Sequence, residues 1–500
     1  MMEVLEMLRS TLLASLLLSL AGCYSSGTHV PSPGEDPAPA REELACAPSE
    51  LALAWSREDA FGSAYHPVEL DVAPGGALFA TRSMMVGSVG RMADGSSVTH
   101  LESGAADARW ARVVELDPES RVVRVRDVAT GEILATLTPS ASPDGWHATS
   151  VAAIAPDGSV AFVVECATDF ATSEASATLI AHRVGGEERR VALPAACGDP
   201  WLQTPMLVPT ADGTSIVVAA LREPGARRLD DGTPPPQLVL ARVDVESGET
   251  ILATSGDPTR IAPVDGHAHI GTPESPGIVA VALSADGTTL LVAARDGVVR
   301  TLDAATLDEI GPPADATLVV ANPDTYLPSV ESPVAISPGA GWIAYVGEDR
   351  SVVVRDAAGV ASAILALPFD DRDGDGGGAP MAIRFVRDGL LVASDRGVAR
   401  FACGGVPEPV DRPSGELALR ADGPSSARHG DRVPFVVGVE NALLPVVRWV
   451  EIAAMHPQGS LGAEVRAYVY ADPLPATVDV RIGADDGVRS AVTMTTLRIE

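Results

Sequence analysis

Lysine is absent from all 500 residues, so each of the 36 basic side chains is an arginine, set against 67 aspartates and glutamates. A chain of formal charge −31 has no basic surface for phosphate backbones, which argues against nucleic acid as a partner and against docking on anionic lipid by a basic face. Aromatic residues make up only 4% of the chain, so its core has to be aliphatic. Long apolar runs are as scarce. The uninterrupted stretch at residues 11–20 (TLLASLLLSL) is too short for a stop-transfer helix and has the length of an export signal's apolar segment. Cysteines number five, an odd count that leaves at least one outside any intramolecular disulfide.

The apolar run ends in Leu20-Ala21-Gly22-Cys23, which resembles the lipobox of bacterial lipoproteins. The resemblance implies cleavage after Gly22, acylation of the Cys23 thiol and a lipid-anchored protein of the bacterial cell envelope. By the same resemblance, Tyr24 rather than Asp after the cysteine implies the outer membrane. An ordinary secretory signal carrying an unrelated cysteine is the alternative. Glu3 and Glu6 do not suit a segment that should be basic, whereas a start at Met7-Leu8-Arg9 does. Each buried methylene contributes about 0.8 kcal/mol and stable anchoring takes more than one chain, so a multiply acylated cysteine would hold the protein firmly. Residues 1–22 are therefore expected to be the signal peptide. Residues 23–43, rich in Ser, Gly, Pro, Glu and Asp, cannot bury enough surface to fold and are expected to form a disordered tether.

Beyond residue 44 the chain repeats itself. GIVAVALSADGTTLLVAARDGVVRTLDAATL (Gly277 to Leu307) reads as three apolar strands separated by Asp-Gly turns. Its first hairpin recurs from Val68, Ser150, Pro205, Pro333 and Met381, and its second half from Val122, Leu238 and Val352. Units of four strands that cannot each bury both faces alone stack radially, which predicts an all-β chain with a six-bladed β-propeller over residues 44–405. Residues 84–120 are expected to be an insertion in the first unit, with a seventh blade in that segment left open.

These units resemble the WD-repeat and bacterial lactonase-like propeller families, including His147 ahead of SVAAIAPDG, near the place of a WD repeat's Gly-His. The Trp-Asp pair itself is missing, because Asp127, Asp244, Asp303 and Asp356 have no Trp before them. The resemblance implies a fold and leaves the function open, since propellers host many chemistries.

The sixth unit supplies three strands, ending at Cys403, while ACAPSELALAW (Ala45 to Trp55) has no upstream partner. It is expected to complete the last blade, bringing Cys46 to Cys403 as a disulfide worth about 4–5 kcal/mol by chain entropy. Two unpaired thiols are the alternative. Connections into each first strand, and between second and third strands, share one face, the top. Insertions at 84–120, 167–176 and 222–236 are expected there over units one to three, with Cys166 and Cys197 paired nearby. A top face elaborated in this way predicts binding of a protein or small-molecule ligand.

The loops also hold the candidate chemistry. Asp371, Asp373 and Asp375 alternate ahead of Gly376 like the first half of an EF-hand loop, which makes calcium the candidate cofactor, yet the twelfth position is Ala382 instead of Glu. A solvated acidic loop is the competing reading. Asp265, His267 and His269 offer weak zinc ligation without a further partner. His66 and His147 precede first strands and read as loop supports. No Gly-x-Ser-x-Gly, His-Glu-x-x-His or P-loop pattern occurs, so no catalytic residue is assigned. A lactonase-like hydrolase with scattered catalytic groups at the channel mouth stays open as the alternative function.

After a linker at 406–412, residues 413–500 read as about six alternating strands. GDRVPFVVGVEN (Gly430 to Asn441) resembles bacterial immunoglobulin-like adhesion modules, implying a small β-sandwich used for spacing or protein contact.

Overall fold

The computed structural model describes most of residues 44–500. Residues 1–43, 59–68, 194–205, 223–236, 255–277, 322–328, 370–379, 407–414 and 471–475, with several shorter connections, lie outside the described set. Seven four-stranded antiparallel blades and one two-stranded hairpin, Val319–Ala321 with Ser329–Glu331, account for the repeat region. From the inner strand outward, blade one holds Glu69–Val72, Leu78–Arg82, Gly87–Arg91 and Ser97–Leu101. Blade two holds Ala105–Ala106, Arg112–Leu116, Val123–Asp127 and Ile133–Leu137. Blade three has Trp146–Ile154, Val160–Asp169, Glu174–Arg183 and Glu188–Leu193, and blade four Met206–Pro209, Ser215–Arg222, Gln237–Asp244 and Thr250–Thr254. Blade five has Ile278–Leu283, Thr289–Ala294, Val298–Asp303 and Ala314–Asp315, and blade six Val334–Ile336, Trp342–Val346, Val352–Asp356 and Ala361–Leu365. Blade seven combines Pro380–Val386, Gly389–Ser394 and Gly397–Cys403 with Leu51–Glu58 from the start of the ring.

The period-two alternation of these strands explains why the sheets close into a ring. In blade three, Val151, Ala153, Phe162 and Val164 are buried against Leu207 and Ile216 of blade four. Their neighbours Ala152, Ile154, Ala161 and Val163 are buried against Val114 and Val125 of blade two. Strands buried on both faces need a neighbour on both sides, and a closed ring supplies one to every blade. One apolar cluster fills each of the seven junctions. The scarcity of aromatic residues is consistent with this wall of Val, Ala, Leu and Ile.

The ring has seven blades, and the segment 84–120 is no insertion. It supplies the outer half of blade one and the inner half of blade two. Blade two escapes the repeat pattern because its first turn is Asp107-Ala108-Arg109-Trp110-Ala111, with no glycine. Trp110, at φ 52°, takes the left-handed position that glycine fills in other blades. It is buried, and its indole Nε1 donates to Asp71 Oδ2 at 3.0 Å. Residues 167–176 are likewise mostly a continued hairpin, with Asp169 opposite Glu174. The segment 222–236 lies almost wholly outside the described residues.

The C-terminal strands form two packed sheets. Ala418–Asp422, Arg432–Glu440 and Glu464–Tyr468 make one. The other runs Gln458–Ser460, Val447–Ile452, Ala476–Asp485, Ser490–Ile499 and Ser426–Ala427. Phe435, Val450, Ile482 and Leu497 lie in the core between them. These eight described strands exceed the expected six. The second sheet does not stop at its own edge, because Gln458–Ser460 pairs in parallel with Ser97–Leu101, the outer strand of blade one, to give a nine-stranded sheet. Val447 and Leu461 are buried with Ala73, Leu78 and Trp110 of the propeller. Arg91 donates to Asp485, and Thr99 Oγ1 donates to the Pro457 carbonyl at 3.2 Å. Gly487, at φ 84°, lies so close that a Cβ would sit 2.7 Å from the Ala77 carbonyl oxygen. The sandwich is thus a direct continuation of blade one, built into the ring's outer edge.

Candidate functional site

The two faces of the propeller differ in a way that follows from its connections. On the bottom, the turn between first and second strands never exceeds five residues, as at 155–159, 210–214 and 284–288. The turns between third and fourth strands are as short except at 304–313 in blade five. The strand ends joined by the connections longer than ten residues within the ring, 194–205, 223–236, 255–277, 316–333 and 366–379, are all on the top. Two of these lead into and out of blade four and a third lies within it. The elaborated sector is therefore centred on blade four, at the far end of the expected span, whose 222–236 connection it keeps.

The bottom turns show what their repeated acids do. Asp157, Asp212 and Asp286 each accept the backbone N–H two residues on and the hydroxyl of that same residue, Ser159, Thr214 and Thr288. The adjoining Gly158, Gly213 and Gly287 all have positive φ. At the outer turns, Asp127 and Asp244 accept the N–H and hydroxyl of Thr130 and Ser247, Asp303 accepts from Ala305 and Thr306, and Asp356 accepts from Val360. The Ser247 and Thr306 backbone N–H bonds hold the Asp244 and Asp303 carboxyls below the usual range. Burial works to raise that of Asp212, but the N–H and hydroxyl of Thr214 and the hydroxyl of Thr210 outweigh it and leave it lowered. The aspartates that stand where a WD repeat carries Trp-Asp are thus turn caps.

Buried charge gathers at two other places. Arg400 pairs with Asp388 within blade seven at 2.7 Å and donates to the Met92 carbonyl of blade one, where Trp55 Nε1 also donates. Beside this closure Cys46 and Cys403 are joined by a disulfide. In blade three, the buried Glu165 accepts from Ser140 N and Ser140 Oγ, both at 2.8 Å. Arg190 donates to Ser140 Oγ and stands 3.6 Å from Glu165. This cluster ties the connection entering blade three to the upper end of its second strand. Nothing in the repeat pattern marks Glu165 or Ser140. An acid amid the apolar run Val160 to Ala167 is the one signal of it.

The remaining predicted residues divide cleanly. Cys166 is disulfide-bonded, and its expected partner Cys197 lies outside the described residues. So do Cys23, His66, Asp265, His267, His269, Asp371, Asp373 and Asp375. His147 is on the strand Trp146–Ile154, opposite Thr168, and Ala382 is on the inner strand of blade seven. Among the described residues no three His, Cys, Asp or Glu side chains form a group that could hold a metal ion.

The class defined by this architecture is a seven-bladed β-propeller fused along one blade to a β-sandwich. No protein-family model and no curated protein matches the chain. Among solved structures, it is similar to the β-propeller domain of Cps50 (Swd1) from Myceliophteria thermophila, at 14% identity and a TM-score of 0.43, over 71% of this chain and 99% of that one.

Proposed function

We propose that the chain is a bacterial outer-membrane lipoprotein, anchored through Cys23, whose propeller binds a protein partner with its top face around blade four. The observation that carries the reading is the one-sided distribution of long connections. A residue ordered outside the repeat core costs about 1–2 kcal/mol of backbone entropy and adds nothing to blade packing. Five such connections join strand ends on a single face, while the opposite face keeps tight turns apart from 304–313. Loops on a fixed scaffold are where proteins place recognition. The same connections contain Asp265, His267 and His269 at 255–277 and Asp371, Asp373 and Asp375 at 366–379, polar groups suited to contacting a partner.

The test replaces 223–236 and 255–277 with tight Asp-Gly turns and verifies folding by thermal melt. Proteins co-purifying from envelope membranes are then compared between the parent and the shortened chain. Loss of specific partners on shortening is the expected result. A folded, shortened chain that retained every partner would move recognition elsewhere, with the sandwich the next surface to test.

A further inference from the structure

Leu44, the first described residue, does not leave the molecule at an arbitrary point. It is buried with Leu51, Leu365 and Phe369 at the junction of blades six and seven, where Ala45 N donates at 3.0 Å to the carbonyl of Arg387, in the bottom turn between the first two strands of blade seven. Around this point lie the most exposed aliphatic side chains of the described propeller. Val406 is 71% exposed, Ile364 70% and Val360 63%, with Ile310 and Leu53 also exposed. The strip is continuous. Arg355 Nη2 donates to the Pro312 carbonyl at 3.2 Å, and a Cβ on Gly359 would lie 3.3 Å from Pro312, which joins the 310–312 segment of blade five to blade six. The outer strand Ala361–Leu365 touches the short 3-10 turn Pro48–Glu50. Gly404 N donates to the Glu50 carbonyl, and Gly405 lies against Ala52 and Leu53.

Charge is thin along the same strip: Arg355 is buried, and the acids beside it are Glu50, Glu309 and Asp356, whose carboxylate accepts from Val360 N. Residues 45–49, 51–56, 310–314, 357–369 and 403–406 contain no Asp, Glu, Arg or His, in a chain where 21% of residues are charged. Exposed aliphatic groups without charge suit neither an acidic nor a basic partner, but they suit the interfacial zone of a bilayer. The surplus of acids elsewhere is repelled by anionic headgroups, which makes the charge-poor strip the orientation of lower electrostatic cost.

We infer that this strip on blades five to seven is the surface that rests on the phospholipid membrane to which Cys23 anchors the chain. The inference rests on the lipoprotein reading above and adds an orientation to it. The 20 residues 24–43 could reach roughly 70 Å if extended, so the tether alone fixes neither distance nor angle. The strip does both, and it leaves the top face free for a partner.

The test places the photo-crosslinking residue p-benzoylphenylalanine singly at Val360, Ile364 or Val406 in the full chain, with Ile133 of blade two as the control. Ile133 is an exposed outer-strand residue on the opposite side of the ring. Each protein is purified from membranes, the acylation of Cys23 is checked by mass spectrometry, and the sample is irradiated in phospholipid vesicles. Phospholipid adducts at positions 360, 364 and 406, at least tenfold over position 133, are expected. The double substitution Val360→Glu, Ile364→Glu should abolish the adduct at 406. With Cys23 acylated, equal adducts at all positions, none at any, or adducts to protein at 360–406 would overturn the orientation. An unmodified Cys23 would instead defeat the lipoprotein reading and the inference with it.

Discussion

Asp107 is the carboxylate whose environment departs furthest from water among those with a resolved value. Burial pushes it up to about 6, against which the Ala111 and Arg112 backbone N–H groups and the Arg112 charge pull down without prevailing. Its folded pKa lies above its ordinary value, so the folded state holds the proton more tightly. The stability this group contributes is present below about pH 4 and is lost as pH rises to about 6. Across that window the loss amounts to roughly 3 kcal/mol. Asp107→Asn, followed by urea unfolding at a series of pH values, should show a stability gain over the parent that grows from pH 4 to pH 6.5 and then levels. A gain that does not change with pH would mean that Asp107 is ionised throughout. Asp244 and Asp303 have the opposite sign, since backbone N–H groups lower them. Their stabilisation is present above the ordinary carboxylate range and disappears only in stronger acid.

At the scale of elements, the joint between propeller and sandwich is the feature with the most consequence. Asp485 is almost fully buried, accepts from Arg91 and from Gly487 N, and holds the Arg91 guanidinium above its ordinary value. Asp485→Ala would leave those donors against an apolar contact at a cost of about 2–3 kcal/mol. Limited proteolysis between residues 407 and 414 should then release the sandwich several-fold faster than from the parent. An unchanged cleavage rate would mean that strand pairing alone carries the joint. The separate strands of this region were legible in the sequence, because alternation in RVPFVVGVE and VRWVEI reports a buried face. Their joining to blade one was not. A parallel pairing of two residues, Gln458 with His100 and Gly459 with Leu101, leaves no pattern that differs from an ordinary short strand. The hidden blade has a comparable cause. Its inner strand is Ala105–Ala106 alone, and its turn uses a buried tryptophan where the other turns use glycine or alanine. The regular blades between blade two and the closure could be read because Asp-Gly turns and two-faced apolar strands recur together. The Cys46–Cys403 bridge could be placed because an unpaired first strand needs a last blade.

For the whole molecule, the propeller and the sandwich form one continuous body joined through blade one. The candidate binding side was legible only in outline. Loop length is written in the sequence, but assigning each loop to a blade requires the right number of blades, and merging two blades made 84–120 read as an insertion and spread the elaborated sector over blades one to four. Everything proposed about location, orientation and partner depends on the chemistry at Cys23. The most direct measurement is the intact mass, with fragmentation, of the protein purified from bacterial membranes. The expected result is a mature chain whose first residue is Cys23 and whose N-terminal fragment carries the mass of acyl chains. A chain that retains residues before Cys23, or that begins elsewhere with that thiol unmodified, would contradict it.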